Sequence, residues 1–196
     1  MRHRGYLFAA ALAGLAACGS DSPTGTNANV SGSAAFNYTG GGGGSFSATG
    51  AVGVTTPAAT LHTSQWATGW KDNTDGSTNV AANVPTTSGK ANFFGIVIGR
   101  QTVGSSPVDV SCTSSNPACT QVFLIVNTNQ QGSTFDFLCE LESGTVTITS
   151  IANDNVQGTF AGSGTCTQGV TPFGESAWTV TSGSFNVPLI ATQPAF

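Results

Sequence analysis

Between Phe135 and Glu142 the chain alternates. Phe135, Phe137, Cys139 and Leu141 take the odd positions, and Asp136, Leu138, Glu140 and Glu142 the even ones. A period of two puts one set on each face of an extended strand, so one face is core and the other largely wet. After Val146-Thr147-Ile148-Thr149 and a turn at Asn153-Asp154-Asn155, a second such stretch begins. There Val156, Gly158, Phe160, Gly162, Gly164 and Cys166 share one face. Similar pieces, separated by Gly, Asn, Ser and Pro clusters, recur from Val30 onward. This spacing predicts a single all-β domain over residues 30–196, an antiparallel β-sandwich with a β-barrel as the alternative. No apolar pattern of helical period appears in that span.

Two stretches are continuously apolar, Phe93-Phe94-Gly95-Ile96-Val97-Ile98 and Val122-Phe123-Leu124-Ile125-Val126. They read as central strands covered on both faces. The run Gly40–Gly44 reads as a loose hairpin loop, and Pro188 marks an edge or the end of the last strand. Charged residues are only 7% of the chain, against about 25% in an average soluble domain. Serine and threonine supply most of the polarity.

The amino-terminal segment has a different character. Arg2 and Arg4 precede an apolar run of 12 residues, Tyr6 to Ala17, which ends in Leu15-Ala16-Ala17-Cys18. A spanning helix needs about 20 residues, so this run predicts a cleaved signal peptide over 1–17. Leu15-Ala16-Ala17-Cys18 resembles the lipobox of bacterial lipoproteins. That resemblance implies lipidation of Cys18, with a diacylglyceryl thioether and an amide-linked acyl chain. More than one chain is what stable membrane anchoring requires. Gly19, in place of Asp, implies the outer membrane if the enterobacterial sorting rule applies. Residues 18–29, Cys18 followed by small and polar residues, read as a lipidated flexible tether.

The 179 residues after the signal carry three basic side chains, Lys71, Lys90 and Arg100, and nine acidic ones, a formal charge of −6. Nucleic acid is thereby excluded as a partner, because phosphate recognition needs clustered Lys and Arg. The membrane partner is reached through the lipid alone. Cys112, Cys119, Cys139 and Cys166 remain, an even number that predicts two disulfides in an exported domain. Cys112–Cys119 brackets a turn-rich loop, and Cys139 and Cys166 share the core phase with Phe137 and Phe160. These pairings are favoured over the other two, and over a Cys₄ metal site, for which no C-x-x-C is present.

The carboxy-terminal quarter carries a second resemblance. Val146-Thr147-Ile148-Thr149-Ser150-Ile151, Val156-Gln157-Gly158-Thr159-Phe160 and Val180-Thr181-Ser182-Gly183-Ser184-Phe185-Asn186-Val187-Pro188 resemble the hairpin signature of a family of uncharacterised bacterial lipoproteins. The resemblance implies an all-β envelope protein and brings no catalytic residues.

Nucleophile elbows, H-E-x-x-H, P-loops and dinucleotide fingerprints are absent from the sequence, and no motif asks for a cofactor or metal. His62 is the one histidine beyond the signal. An extended Leu61–Trp70 would align His62, Trp66 and Trp70 on one face, suited to a glycan or an apolar ligand. Core burial is the commoner use of such rings and is the favoured reading. Asp136, Glu140 and Glu142 form an acidic stripe that reads first as a solvated face. In a carbohydrate-active enzyme it would be the catalytic surface, though glycosidase carboxylates oppose one another. Lys71-Asp72-Asn73-Thr74-Asp75-Gly76-Ser77 resembles a calcium loop, but Lys71 stands where Asp is needed, so a surface turn is expected. The functional expectation is a lipid-anchored cell-envelope protein with a non-enzymatic structural or ligand-binding role. A carbohydrate-binding or carbohydrate-active surface protein is the alternative.

Overall fold

The computed structural model describes residues 31–50, 52, 56, 58–86, 89–109, 119–129, 134–169 and 174–194. The expected signal peptide, Cys18, its tether and Cys112 lie outside the described residues. In chain order the elements are β1 (Gly32–Thr39), β2 (Gly44–Gly50), the short helix α1 (Ala58–Thr63), β3 (Trp66–Asp72), β4 (Ser77–Pro85) and β5 (Ala91–Ile98). There follow β6 (Gly104–Pro107), β7 (Gln121–Thr128), β8 (Phe137–Ala152), β9 (Asn155–Gln168) and β10 (Glu175–Ile190). The fold is all-β as expected, apart from α1. Six residues are too few to print a helical period on the sequence, which is why that turn was not anticipated.

All ten strands belong to one sheet. Its hydrogen bonding runs β10-β3-β4-β5-β7-β8-β9 and returns to β10. A closed ring with an odd number of strands must contain a parallel neighbour pair. Here that pair is β10 with β3, joined only through Leu189↔Gly69 and Ile190↔Trp70. Ladder closure is therefore barrel-like, while packing is in two layers. The six-stranded layer is β2-β1-β10-β9-β8-β6, and the four-stranded layer is β3-β4-β5-β7.

The long strands β8, β9 and β10 make the closure feasible, because each of the outer two serves two partners along one edge. β8 meets β7 over Phe137–Glu140 and β6 over Thr145–Ile148. β10 meets β1 over Thr179–Asn186 and then β3 at Leu189 and Ile190. Pro188 sits between those two ladders, buried and paired with Asn155 of β9. The expectation of an edge or strand end is thus corrected. A residue without an N–H is tolerated where the strand changes partner.

Side chains alternate across the six-stranded layer with the period the sequence predicts. One inward row is Val146–Phe160–Gly183–Phe36–Phe46, and the next is Ile148–Gly158–Phe185–Ala34–Ala48. Phe94 of β5 meets them from the opposite layer, with ring centroids 4.8 Å from Phe36 and 5.2 Å from Phe160. In these rows Phe160 and Phe185 each lie across a strand-interior glycine. Phe160 covers Gly183 and Phe185 covers Gly158, so closely that a Cβ on either glycine would enter the ring. Glycine costs a strand entropy and packing, and the facing ring returns the buried contact. Phe123 covers Gly95 in the same way on the outside of the four-stranded layer.

Cys139 and Cys166 are direct cross-strand partners and form a disulfide within the main core, as their shared phase predicts. Cys119 is also disulfide-bonded. The glycine run is a tight turn rather than a loose loop. Gly40 to Gly44 all have positive φ, Gly43 N–H donates to the Gly40 carbonyl (2.9 Å), and Gly41 N–H donates to Ser176 Oγ (3.2 Å). Gly41 lies over the disulfide, where a Cβ would stand 2.7 Å from Cys166 Sγ and 2.8 Å from Cys139 Sγ. The β8–β9 hairpin turns on Asn153 and Asp154, both at positive φ, as a two-residue type I′ connection requires.

Candidate functional site

The aromatic trio expected from Leu61–Trp70 is divided between two structures. His62 belongs to α1, and its Nε2 donates to the Gly89 carbonyl (3.0 Å). Trp66 and Trp70 lie on the outer side of β3 but are only 1% and 9% exposed. With Val52, Leu61 and Ala81 they form a second apolar core, against which Phe93 and Ile190 pack. The Trp66 indole N–H donates to the Leu61 carbonyl (2.6 Å). Asn83 Nδ2 donates to the carbonyls of His62 (3.1 Å) and Ser64 (2.8 Å), which would otherwise be orphaned at the helix end. The two indoles fasten α1 to the sheet. An open stacking platform of His62, Trp66 and Trp70 is not what these residues form, because extended geometry stops at Gln65.

The acidic stripe also separates by role. Asp136 Oδ2 accepts from Asn127 Nδ2 (2.7 Å), and Oδ1 pairs with Lys90 Nζ at 3.3 Å. The Asn127 amide holds this carboxyl below the usual carboxylate range, and Lys90 adds to the effect. Glu140 stands half-buried between Phe123 of β7 and Thr165 of β9. Burial pushes its carboxyl up, and the charge of Glu142 pushes it further. Glu142 accepts from Thr165 Oγ1 at 2.9 Å. Glu140 can therefore hold a proton longer than an ordinary glutamate, but its acidic neighbour is on the same strand rather than across a cleft.

Asp72–Ser77 closes the β3–β4 hairpin. Asp72 Oδ1 accepts from Thr74 N–H and Asp75 Oδ1 from Ser77 N–H, each at 2.8 Å, and Gly76 has positive φ. These carboxylates shape a turn. Among the described residues no three His, Cys, Asp or Glu side chains gather where a metal could sit.

The most extended regular surface is one that residue-by-residue reading missed. Outward positions of the six-stranded layer line up in rows. One row runs Ser105–Thr147–Thr159–Ser184–Ala35–Ser47 through all six strands. A second runs Ser150–Gln157–Asn186–Ser33–Thr49. Hydroxyls within the face bridge neighbouring strands, Ser105 Oγ to Thr147 Oγ1 at 2.8 Å and Ser143 Oγ to Ser163 Oγ at 3.1 Å. The signal in the sequence was the Ser/Thr content of the wet phase, but the rows follow from pairwise register.

No protein-family model matches the chain, and no curated protein or solved structure is significantly similar to it. The fold and surface define a class only: a closed, core-filled, disulfide-bonded β-domain.

Proposed function

We propose that this chain is a non-enzymatic cell-envelope protein, held at the outer membrane by lipid on Cys18 and displaying its β-domain as a structural or ligand-binding body. The observation that carries the reading is the Cys139–Cys166 disulfide, built into the core between directly paired strands. Such bonds persist in oxidising compartments outside the cytoplasm. The lipobox-like Leu15-Ala16-Ala17-Cys18 and the near absence of charge agree with export.

Detergent phase partition and intact mass test the anchor. The wild-type protein should enter the detergent phase and weigh more than its mature amino acids, whereas Cys18→Ser should remain aqueous and unmodified. Equal partition of the two would refute the reading.

Glu140 favours a second reading, a carbohydrate-active enzyme, because a half-buried carboxyl with a raised pKa suits a general acid. Release of reducing ends from a polysaccharide, lost in Glu140→Gln, would establish it in place of the first.

A further inference from the structure

We propose that the outer face of β5, β7 and the first half of β8 rests on the surface of the bilayer that anchors the chain, with zwitterionic lipid as its partner. The proposal depends on the lipid-anchor reading above and adds a second contact to the lipid on Cys18.

This face is apolar where the outside of the six-stranded layer is hydroxylated. Phe93 and Val97 alternate with the core residues Phe94, Ile96 and Ile98, Phe123 and Ile125 with Val122 and Leu124, and Leu138 precedes Cys139. A period of two therefore turns these five side chains outward. Register sets them side by side. Phe93, Ile125 and Leu138 form one row, and Phe123, lying over Gly95, belongs to the next. All five are half-buried. Among the described residues, the second core under α1 reaches no further than Phe93. An antiparallel sheet face left to water carries polar residues at such positions.

The size of the patch and the entry of the chain select the occupant. With strands about 4.8 Å apart and outward rows about 6.8 Å apart, the patch covers roughly 300 Å². A stable dimer buries about 800 Å² on each partner, so a second copy gains too little here. A surface to which the chain is already tied needs far less. The tether expected over residues 18–29 leads into β1, whose Gly32 lies against the Ala67 carbonyl, one residue from Trp66. From Trp66 the rings step across the face, 6.2 Å to Phe93 and a further 6.1 Å to Phe123 between centroids. A small, polar chain of that length spans roughly 20 Å. The bilayer is thus within reach of the face, and each contact is an intramolecular event.

Charge decides the headgroup. Lys90 and Arg100 flank β5, but Lys90 pairs with Asp136 at 3.3 Å and the Arg100 guanidinium lies against Gly104. Glu140 borders the patch beside Phe123. An anionic surface gains nothing from this rim, whereas aromatic and aliphatic side chains suit the interface of a zwitterionic one.

The test uses the mature chain, residues 18–196, carrying Cys18→Ser and exported behind a conventional cleavable leader, so that no lipid contributes. It is sedimented with phosphatidylcholine vesicles at millimolar lipid. The chain should co-sediment in part, with little dependence on salt. Ile125→Thr/Leu138→Thr changes two directly paired positions of the face and should lower the partition coefficient at least threefold, while the thermal midpoint stays within a few degrees. Thr147→Ser, on the opposite layer, should partition like the parent. If the paired variant does not fold, Val97→Thr, close in shape to the parent, should lower partition in the same direction.

Absence of co-sedimentation with phosphatidylcholine overturns the proposal, as does co-sedimentation that the folded face variants leave unchanged. Binding confined to phosphatidylglycerol vesicles and lost in salt also overturns it. A dimer in sedimentation velocity that Ile125→Thr/Leu138→Thr abolishes, without vesicle binding, assigns the face to a second copy and overturns it as well. Failure of the anchor reading shows separately, as equal detergent partition of the wild type and Cys18→Ser.

Discussion

Gly183 and Phe160 face each other across β10 and β9, and the ring occupies the space where a Cβ would go. Gly183 does not have positive φ, so alanine can adopt its backbone conformation without strain. In open space Gly183→Ala would then stabilise by about 0.4–1 kcal/mol through the unfolded chain. Here the methyl group meets a ring already locked against Phe36 and Phe94. Overpacking of that kind costs about 1–3 kcal/mol, so the net expectation is a loss of about 1–2 kcal/mol. Phe160→Ala alone should cost about 3–5 kcal/mol as a core truncation. In the double variant the new methyl group enters the vacated space. It should therefore be less destabilised than the two single changes together, by at least about 1 kcal/mol, within the range seen for contacting residues. Urea unfolding followed by circular dichroism, with the midpoint shift read at constant m, measures all three. A Gly183→Ala midpoint equal to or above the parent, or additivity within about 0.3–0.5 kcal/mol, would refute the ring-over-glycine account.

Other expectations follow from the same packing. Cys139→Ala/Cys166→Ala opens a loop with a sequence separation of 27 residues and should cost about 3–4 kcal/mol on loop-entropy grounds, measured by the same unfolding assay. Trp66, Trp70 and Trp178 are at most 9% exposed, so acrylamide should quench native tryptophan fluorescence only weakly, and strong quenching would contradict their burial. Glu140 binds its proton more tightly folded than unfolded, which makes its contribution greatest in acid and lost as pH rises through its raised pKa. Glu140→Gln should therefore match the parent at low pH and exceed it near neutrality in urea midpoint. Asp136 has the opposite sign, its pKa being lowered by Asn127 and Lys90. Asp136→Asn should be less stable than the parent near neutrality and converge with it as pH falls.

What the sequence disclosed was local. The alternation of Phe137, Cys139 and Leu141 with their polar neighbours, and of Val156 through Cys166, fixed two strand faces and hence the pairing of Cys139 with Cys166. Asn153 and Asp154 marked their turn because both residue types tolerate positive φ. What stayed hidden was set by contacts between distant segments. Closure of the ring rests on two residue pairs between β10 and β3, and no periodicity announces it. Pro188 looked like a terminus because the change of partner along β10 leaves no local trace. The glycine run looked loose until the positive φ of all five residues and the seat of Gly41 over the disulfide gave it a reason. Trp66 and Trp70 were legible as large apolar side chains, but the α1 carbonyl that satisfies the Trp66 indole could not be read from spacing. The hydroxyl rows needed the register of all six strands.

The parallel junction between β3 and β10 has a mechanical consequence. A ring stitched elsewhere by antiparallel ladders, the shortest of them the four pairs between β7 and β8, is fastened here by a clasp two residues wide. Loss of these two pairs would unhook the ring, and the bracelet would open into a curled ribbon while its longest ladders stayed intact. The barrel's integrity thus depends on Leu189 and Ile190 holding their grip on Gly69 and Trp70.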